Sequence, residues 1–321
     1  MLGTRLDLQR VRAAREVIAP VFLDSPLYRC EPLEVGLGCE LSIKLETANP
    51  VRCFKARGTE LVAGQLAAAG GGGLVCASAG NLGQALAWSG RARGLAVAVW
   101  ASQRAPRTKL DRIRALGARL ELVDGDFDSA RDAAAADARK SGARLVEDSL
   151  DIETCEGAAT IGLELAAAPV DVVLVALGGG AMATGVGAVL KTLAPAIEIV
   201  CVQPAGAPAM TRSWRERRVI TTDSTDTTAD GVAGRRPIAA VLDDLLLVAD
   251  DTVLVDEESI ITGMRLLLDR AGLVVEPSAA LGIAAILEDR DRFAGRRVAT
   301  IVCGSNVDTD SYQHWTAPAG A

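Results

Sequence analysis

Residues 172–190 read VVLVALGGGAMATGVGAVL, an uncharged stretch about as long as a bilayer-spanning helix. Gly178, Gly179 and Gly180 divide it into a β-branched half and an Ala/Gly half. Three consecutive glycines suit the turn between a buried strand and a helix better than the middle of a membrane helix. The stretch therefore predicts strand, glycine turn and helix rather than a membrane span.

The same alternation runs outward in both directions, the pattern of an α/β protein with a mainly parallel sheet. Between Gly73 and Asp148, strands are predicted at Leu74–Ala77, Ala96–Trp100, Arg119–Val123 and Arg144–Glu147. Helices between them cover Asn81–Arg91, Thr108–Leu116 and Ser129–Lys140. A second set of strands falls at Glu40–Glu46, Val172–Leu177, Glu198–Gln203, Leu245–Ala249 and Val298–Val302. The first of these precedes the small unit, so a small domain (73–148) is predicted as an insertion in a large one (1–72 and 149–321). The expected fold is α/β: two open, mostly parallel twisted sheets with helices on both faces. The polar run TTDSTDTT at Thr221–Thr228 predicts a loop.

Composition agrees with two domains and narrows the partners. The chain has 321 residues, 50% of them hydrophobic, which is enough for two cores. Net charge is −7, and Lys and Arg are dispersed without a basic stripe, so nucleic acid is not an expected partner. The seven cysteines are scattered, with no CxxC spacing, which predicts reduced thiols in a cytoplasmic protein rather than a disulfide or zinc framework. The opening MLGTRLDLQRVRAAREVIAP lacks the apolar core of a secretion signal.

Five short segments carry chemistry together, although each has a plain reading alone. In Asn49–Gly58 (NPVRCFKARG), Lys55 beside Phe54 could be a solvated first-turn lysine, or an amine desolvated enough to act as a nucleophile. Ser78-Ala79-Gly80-Asn81 follows a predicted strand and opens a helix, which is either a plain cap or a carboxylate site. Gly178-Gly179-Gly180-Ala181-Met182 permits close approach of a phosphate to the backbone. Glu276-Pro277-Ser278 and Cys303-Gly304-Ser305-Asn306 stand at element ends, where open α/β sheets bind ligands.

Taken in order, these segments resemble the pyridoxal-phosphate enzymes of the tryptophan-synthase β-like family (fold type II), over about Pro26 to Asn306. Phe54-Lys55-Ala56-Arg57-Gly58 and Ala229-Asp230-Gly231-Val232-Ala233 resemble the serine/threonine dehydratase and serine racemase branch. The resemblance implies that pyridoxal 5'-phosphate sits in the cleft between the domains as a Schiff base on Lys55, which also moves the Cα proton. Phe54 would pack near the cofactor, and Gly178, Gly179, Gly180, Ala181 and Met182 would cradle its phosphate. Cys303 would face the pyridine nitrogen, and Glu276 would sit near the ring or the substrate amine. Ser78, Ala79, Gly80 and Asn81 would hold the substrate carboxylate, with Asn81 also bonding the phenolic oxygen. His314, the one histidine, lies in the C-terminal tail and is a poor candidate base. The implied reaction is β-elimination of water and ammonia from a small amino acid such as serine or threonine, by a homodimer.

Departures from the branch pattern sharpen this expectation. Racemases of the branch place a second serine where Ala79 stands, so one-sided chemistry and elimination are favoured. Leu82 and Ala181 alter pocket shape. Arg52, where small residues are usual, either recognises an acidic substrate or points outward. Metal-dependent members carry carboxylates where Gln203 and Ala209 stand, so no metal site is expected. No regulatory domain is expected after Asn306. Competing readings are a β-replacement synthase, a racemase, and a binding protein that has lost catalysis.

Overall fold

The computed structural model describes residues 3–317. Ten strands form two sheets: β1 (Leu27–Arg29), β2 (Glu40–Leu45), β3 (Gly73–Ala77), β4 (Ala96–Ser102), β5 (Arg119–Val123), β6 (Arg144–Leu145), β7 (Val172–Ala176), β8 (Glu198–Pro204), β9 (Asp251–Val255) and β10 (Arg297–Val302). The larger sheet has the order β1-β2-β10-β7-β8-β9, and the smaller has β5-β4-β3-β6. Every ladder is parallel except the edge pair β1–β2. The smaller sheet lies in the chain between β2 and β7 of the larger one. The fold is thus α/β with two mostly parallel sheets, as the alternation predicts.

The central strands are buried on both faces, as parallel strands between helices must be. Val172, Val173, Leu174 and Val175 of β7 are at most 1% exposed, as are Ile199, Val200, Cys201 and Val202 of β8. The smaller sheet packs Leu74, Cys76, Val97 and Val99 against Leu82, Leu86 and Ile113. Its other face meets Ala130, Ala134 and Ala138, an i, i+4 alanine stripe of the Phe127–Ser141 helix.

One predicted strand is corrected. Leu245–Ala249 falls at the end of a helix, Ala239–Val248, and the strand is β9, just beyond it. Val241, Leu242, Leu245 and Val248 are buried while Asp243 and Leu247 are exposed, which is helical spacing; a short apolar run alone does not separate the two periods. Two boundaries also differ. β1 is unanticipated, being three residues long, and β6 keeps only Arg144–Leu145 of the expected Arg144–Glu147. The Thr221–Thr228 segment has no helix or strand, as expected.

Three helices bring the ends of the sheets together. The Lys55–Ala68 helix crosses the Ile152–Leu165 helix so closely that a Cβ on Gly157 would lie 2.4 Å from the Arg57 carbonyl oxygen. A Cβ on Gly185, in the Ala181–Leu193 helix, would lie 2.5 Å from the Cys155 carbonyl oxygen. Only glycine permits such backbone approach. Among the described residues, no helix is long and apolar enough to cross a membrane.

Candidate active site

A cleft of about 640 Å³ collects the carboxyl ends of strands from both sheets, where open α/β sheets place ligands. The segment after β2 leads to Lys55, β3 ends in Ser78–Asn81, β7 in Gly178–Gly180, β6 leads to Asp148, and β10 ends at Cys303. Phe54, Lys55, Ser78, Ala79, Gly80, Asn81, Gly178, Gly179, Gly180, Ala181, Met182, Glu276 and Cys303 all line it. These thirteen residues are therefore brought to one place, whereas Arg52 is not.

Lys55 opens its helix, and its entry is fixed from several sides. The Phe54 N–H donates to the Cys303 carbonyl at 3.1 Å, and Cys53 bridges Gly304. Below, the guanidinium of Arg57, 1% exposed, donates to both carboxylate oxygens of Glu46 and to Glu164 and Thr160. The Lys55 amine lies 4.5 Å from the Phe54 ring centroid and donates to Asp148 Oδ2 at 2.6 Å.

The glycine turn after β7 fits an oxyanion. Gly180 has φ +106°, and a Cβ there would lie 2.5 Å from Val241 Cγ1. The first N–H groups of any helix lack intrahelical acceptors, and of these Ala181 donates to Ser149 Oγ at 3.0 Å. Gly178, Gly179, Ala181 and Met182 share the same wall, so backbone amides, a helix start and the absence of side chains together suit a phosphate.

Both ends of the Asn81 amide are held by hydrogen bonds. Its Nδ2 donates to both oxygens of Glu276, and its Oδ1 accepts from Asn306 Nδ2 at 2.8 Å. Burial pushes the Glu276 carboxyl above its ordinary range, against the lowering pull of the Asn81 and Ser278 donors. Burial likewise holds the Cys303 thiol well above its usual range, with the nearby Glu276 adding to the effect. Cys303 therefore offers a neutral thiol.

Several lining residues went unremarked in the sequence. Glu147 and Asp148 follow β6, and Lys109, Arg131 and Arg235 add charge to the walls. Lys109 pairs with Asp230, and Arg235 with Asp128 at 2.8 Å, so side chains of the smaller sheet's helices meet the 230–235 segment over the cleft. Asp230 carries the one available signal, its place in the quoted Ala-Asp-Gly motif; an acidic turn such as Glu147-Asp148-Ser149 has none. Arg52 does not line the cleft and is exposed, with φ +55°. His314 is exposed on the Thr309–Thr316 helix and also lies outside the lining. Gln203 is fully buried and accepts from the Thr211 N–H.

Comparison with known proteins agrees with this geometry. A family model described as pyridoxal-phosphate dependent enzyme matches residues 18–304. An L-threonine ammonia-lyase of Thermotoga maritima is 31% identical over 308 residues, covering 95% of this chain and 77% of that protein. A serine racemase of Oryza sativa subsp. indica is 29% identical over 319 residues, covering 95% of this chain and 92% of its own. Among solved structures, the processed form of threonine deaminase isoform 2 from Solanum lycopersicum superposes with a TM-score of 0.89 at 28% identity, covering 99% of this chain and 96% of that one. A glycine cradle, a lysine on the cleft wall and a match over most of the chain point the same way: this chain belongs to the pyridoxal-phosphate dependent enzymes, and its cofactor is pyridoxal 5'-phosphate.

Proposed function

We propose that the protein removes water and ammonia from a small L-hydroxy amino acid such as serine or threonine, releasing a 2-keto acid. The observation that carries this reading is one-sided acid–base equipment. Lys55 presents an amine to the cleft from the larger sheet, while the facing loop of the smaller sheet contributes the methyl of Ala79. Racemisation needs a second proton donor, and Ala79 supplies none. The threonine ammonia-lyase and threonine deaminase relatives support the same choice.

The residues divide the work as follows. Gly178–Met182 would hold the phosphate through backbone amides, and Lys55 would be the point of covalent attachment. The N–H groups of the Ser78–Asn81 turn receive the substrate carboxylate at a helix start. Bound there, the cofactor supplies the electron sink that makes the substrate Cα–H acidic. Lys55, once displaced by the substrate amine, takes that proton. The Lys55 ammonium would return that proton to the departing β-hydroxyl, which leaves as water, and the released enamine would take up water to give keto acid and ammonia. Cys303, a neutral thiol, is a weak partner for the ring nitrogen, which disfavours transamination.

The test is keto-acid release from a panel of L-serine, L-threonine and bulkier or acidic β-hydroxy amino acids, with added cofactor and Lys55→Ala as control. Turnover of a panel member that vanishes in the control is expected. No turnover of any member by cofactor-loaded protein would overturn the elimination reading and favour β-replacement.

A further inference from the structure

Among the described residues, Asp148 is the one carboxylate bonded to the Lys55 amine, at 2.6 Å, and its other oxygen, Oδ1, is buried without a hydrogen-bond partner. Its neighbours in the chain are otherwise committed. Glu147 pairs with Arg131 at 2.7 Å, Asp151 accepts the Glu147 N–H, and Ser149 Oγ accepts the Ala181 N–H. Ser149 itself is held at φ +68°, and its N–H donates to Thr154 Oγ1. Asp148 thus projects from a pinned turn toward Lys55, with one oxygen to spare.

This arrangement has a consequence once Lys55 is attached to the cofactor. The ammonium opposite Asp148 is then gone, and a carboxylate with a buried, unpartnered oxygen lacks a counter-ion. An arriving amino acid carries the cation that is missing. We infer that Asp148 is the ammonium-docking group of the amine exchange: it receives the substrate's ammonium on arrival and the Lys55 amine on release. The inference rests on the reading above that Lys55 is the attachment point and that an amino acid is the substrate.

The exchange balances around this carboxylate. The bond between Lys55 Nζ and the cofactor's carbonyl carbon breaks, and the equivalent bond forms to the substrate nitrogen. Of the three protons on the incoming ammonium, two pass to Lys55 and one stays on the substrate nitrogen. Lys55 leaves as a neutral amine that still donates one N–H to Asp148, with its lone pair free for the Cα proton. On taking that proton it becomes the ammonium that pairs with Asp148.

The test uses Asp148→Asn, which keeps shape and removes charge. With L-alanine, which has no β leaving group, exchange is followed as the change in cofactor absorbance after mixing. The variant is expected to exchange at least about tenfold more slowly, the loss of one charged hydrogen bond. Its melting temperature and the borohydride trapping of cofactor on Lys55 should match wild type. In the cofactor-free protein, acylation of Lys55 by acetic anhydride, read by peptide mass, should rise severalfold in the variant. Asp148→Glu should recover part of the exchange rate. Exchange and acylation both within about twofold of wild type would overturn the inference. Wild-type protein that exchanges with L-alanine yet releases no keto acid would overturn the elimination reading instead, leaving the docking role intact.

Discussion

Asn81 donates through Nδ2 to both carboxylate oxygens of Glu276, at 2.9 and 3.0 Å. The first residue opens a helix of the smaller sheet, and the second precedes the Pro277–Ala280 turn beside the larger one. The pair therefore joins the two halves of the cleft at its floor. Ser278 Oγ and the Asn306 N–H also donate to Glu276, so three donor groups make four hydrogen bonds to one buried carboxyl.

This pairing predicts a pH signature. The Glu276 carboxyl is raised above its ordinary value of 4.5, chiefly by burial. A raised acid binds its proton more tightly in the folded than in the unfolded state. Its contribution to stability is therefore complete below 4.5 and is lost as pH rises through the folded value. Glu276→Gln does not titrate, so this loss is absent in the variant. Melting curves of both proteins from acid to neutral pH should show the wild type losing ground to the variant as pH rises; parallel curves would contradict the assignment.

Arg57 supplies a second prediction. Its guanidinium is 1% exposed and spans Glu46 and Glu164 beneath the start of the Lys55 helix. Arg57→Ala leaves two buried carboxylates without that partner, and breaking such a pair costs about 3–5 kcal/mol. Arg57→Lys keeps the charge but not the bidentate fork, so its loss should be intermediate. Denaturant titration of the three proteins gives the order directly. Equal stability of wild type and Arg57→Ala would show the network to be dispensable.

Gly180 separates turn geometry from chemistry. At φ +106°, and with Val241 Cγ1 2.5 Å from where a Cβ would stand, alanine is both strained and crowded there. Gly180→Ala should lose about 1–3 kcal/mol of stability and bind the cofactor more weakly. Equilibrium dialysis of the cofactor, beside a melting curve, measures the two effects. Unchanged cofactor affinity would place the phosphate away from this turn.

Local signals in the chain show through in the sequence, and distant pairings do not. The glycine turn was legible because three glycines between a β-branched run and a helix have few other meanings, and Ser78–Asn81 because a strand visibly precedes it. The Leu245–Ala249 error came from an apolar run too short to show its period, which the exposed Asp243 and Leu247 resolve only in the fold. Asp148 lay beyond reach for another reason: its partner is 93 residues away in the chain, and an acidic turn after a strand carries no signature. The pairing of Lys109 with Asp230 across the cleft is hidden in the same way.

Ala79 gives the sharpest test of what the site lacks. It is half-buried on the cleft wall in the Ser78–Asn81 turn, and the neighbouring Ser78 hydroxyl already accepts the Gly80 N–H at 3.1 Å. No hydroxyl is offered at position 79, so a proton removed by Lys55 has no donor at that position to return it to the other face. Ala79→Ser adds one hydroxyl at that position and leaves the backbone amides of the turn in place. The variant is expected to convert part of an L-hydroxy amino acid to its D isomer, at the expense of keto acid, while wild type forms none. Chiral chromatography of the recovered amino acid after incubation in deuterated water reads both inversion and Cα exchange. Cα deuteration in the variant without any D isomer would show that the added hydroxyl does not reach the substrate; D isomer from the wild type would mean that another donor serves that face, and the one-sided account of the chemistry would fall.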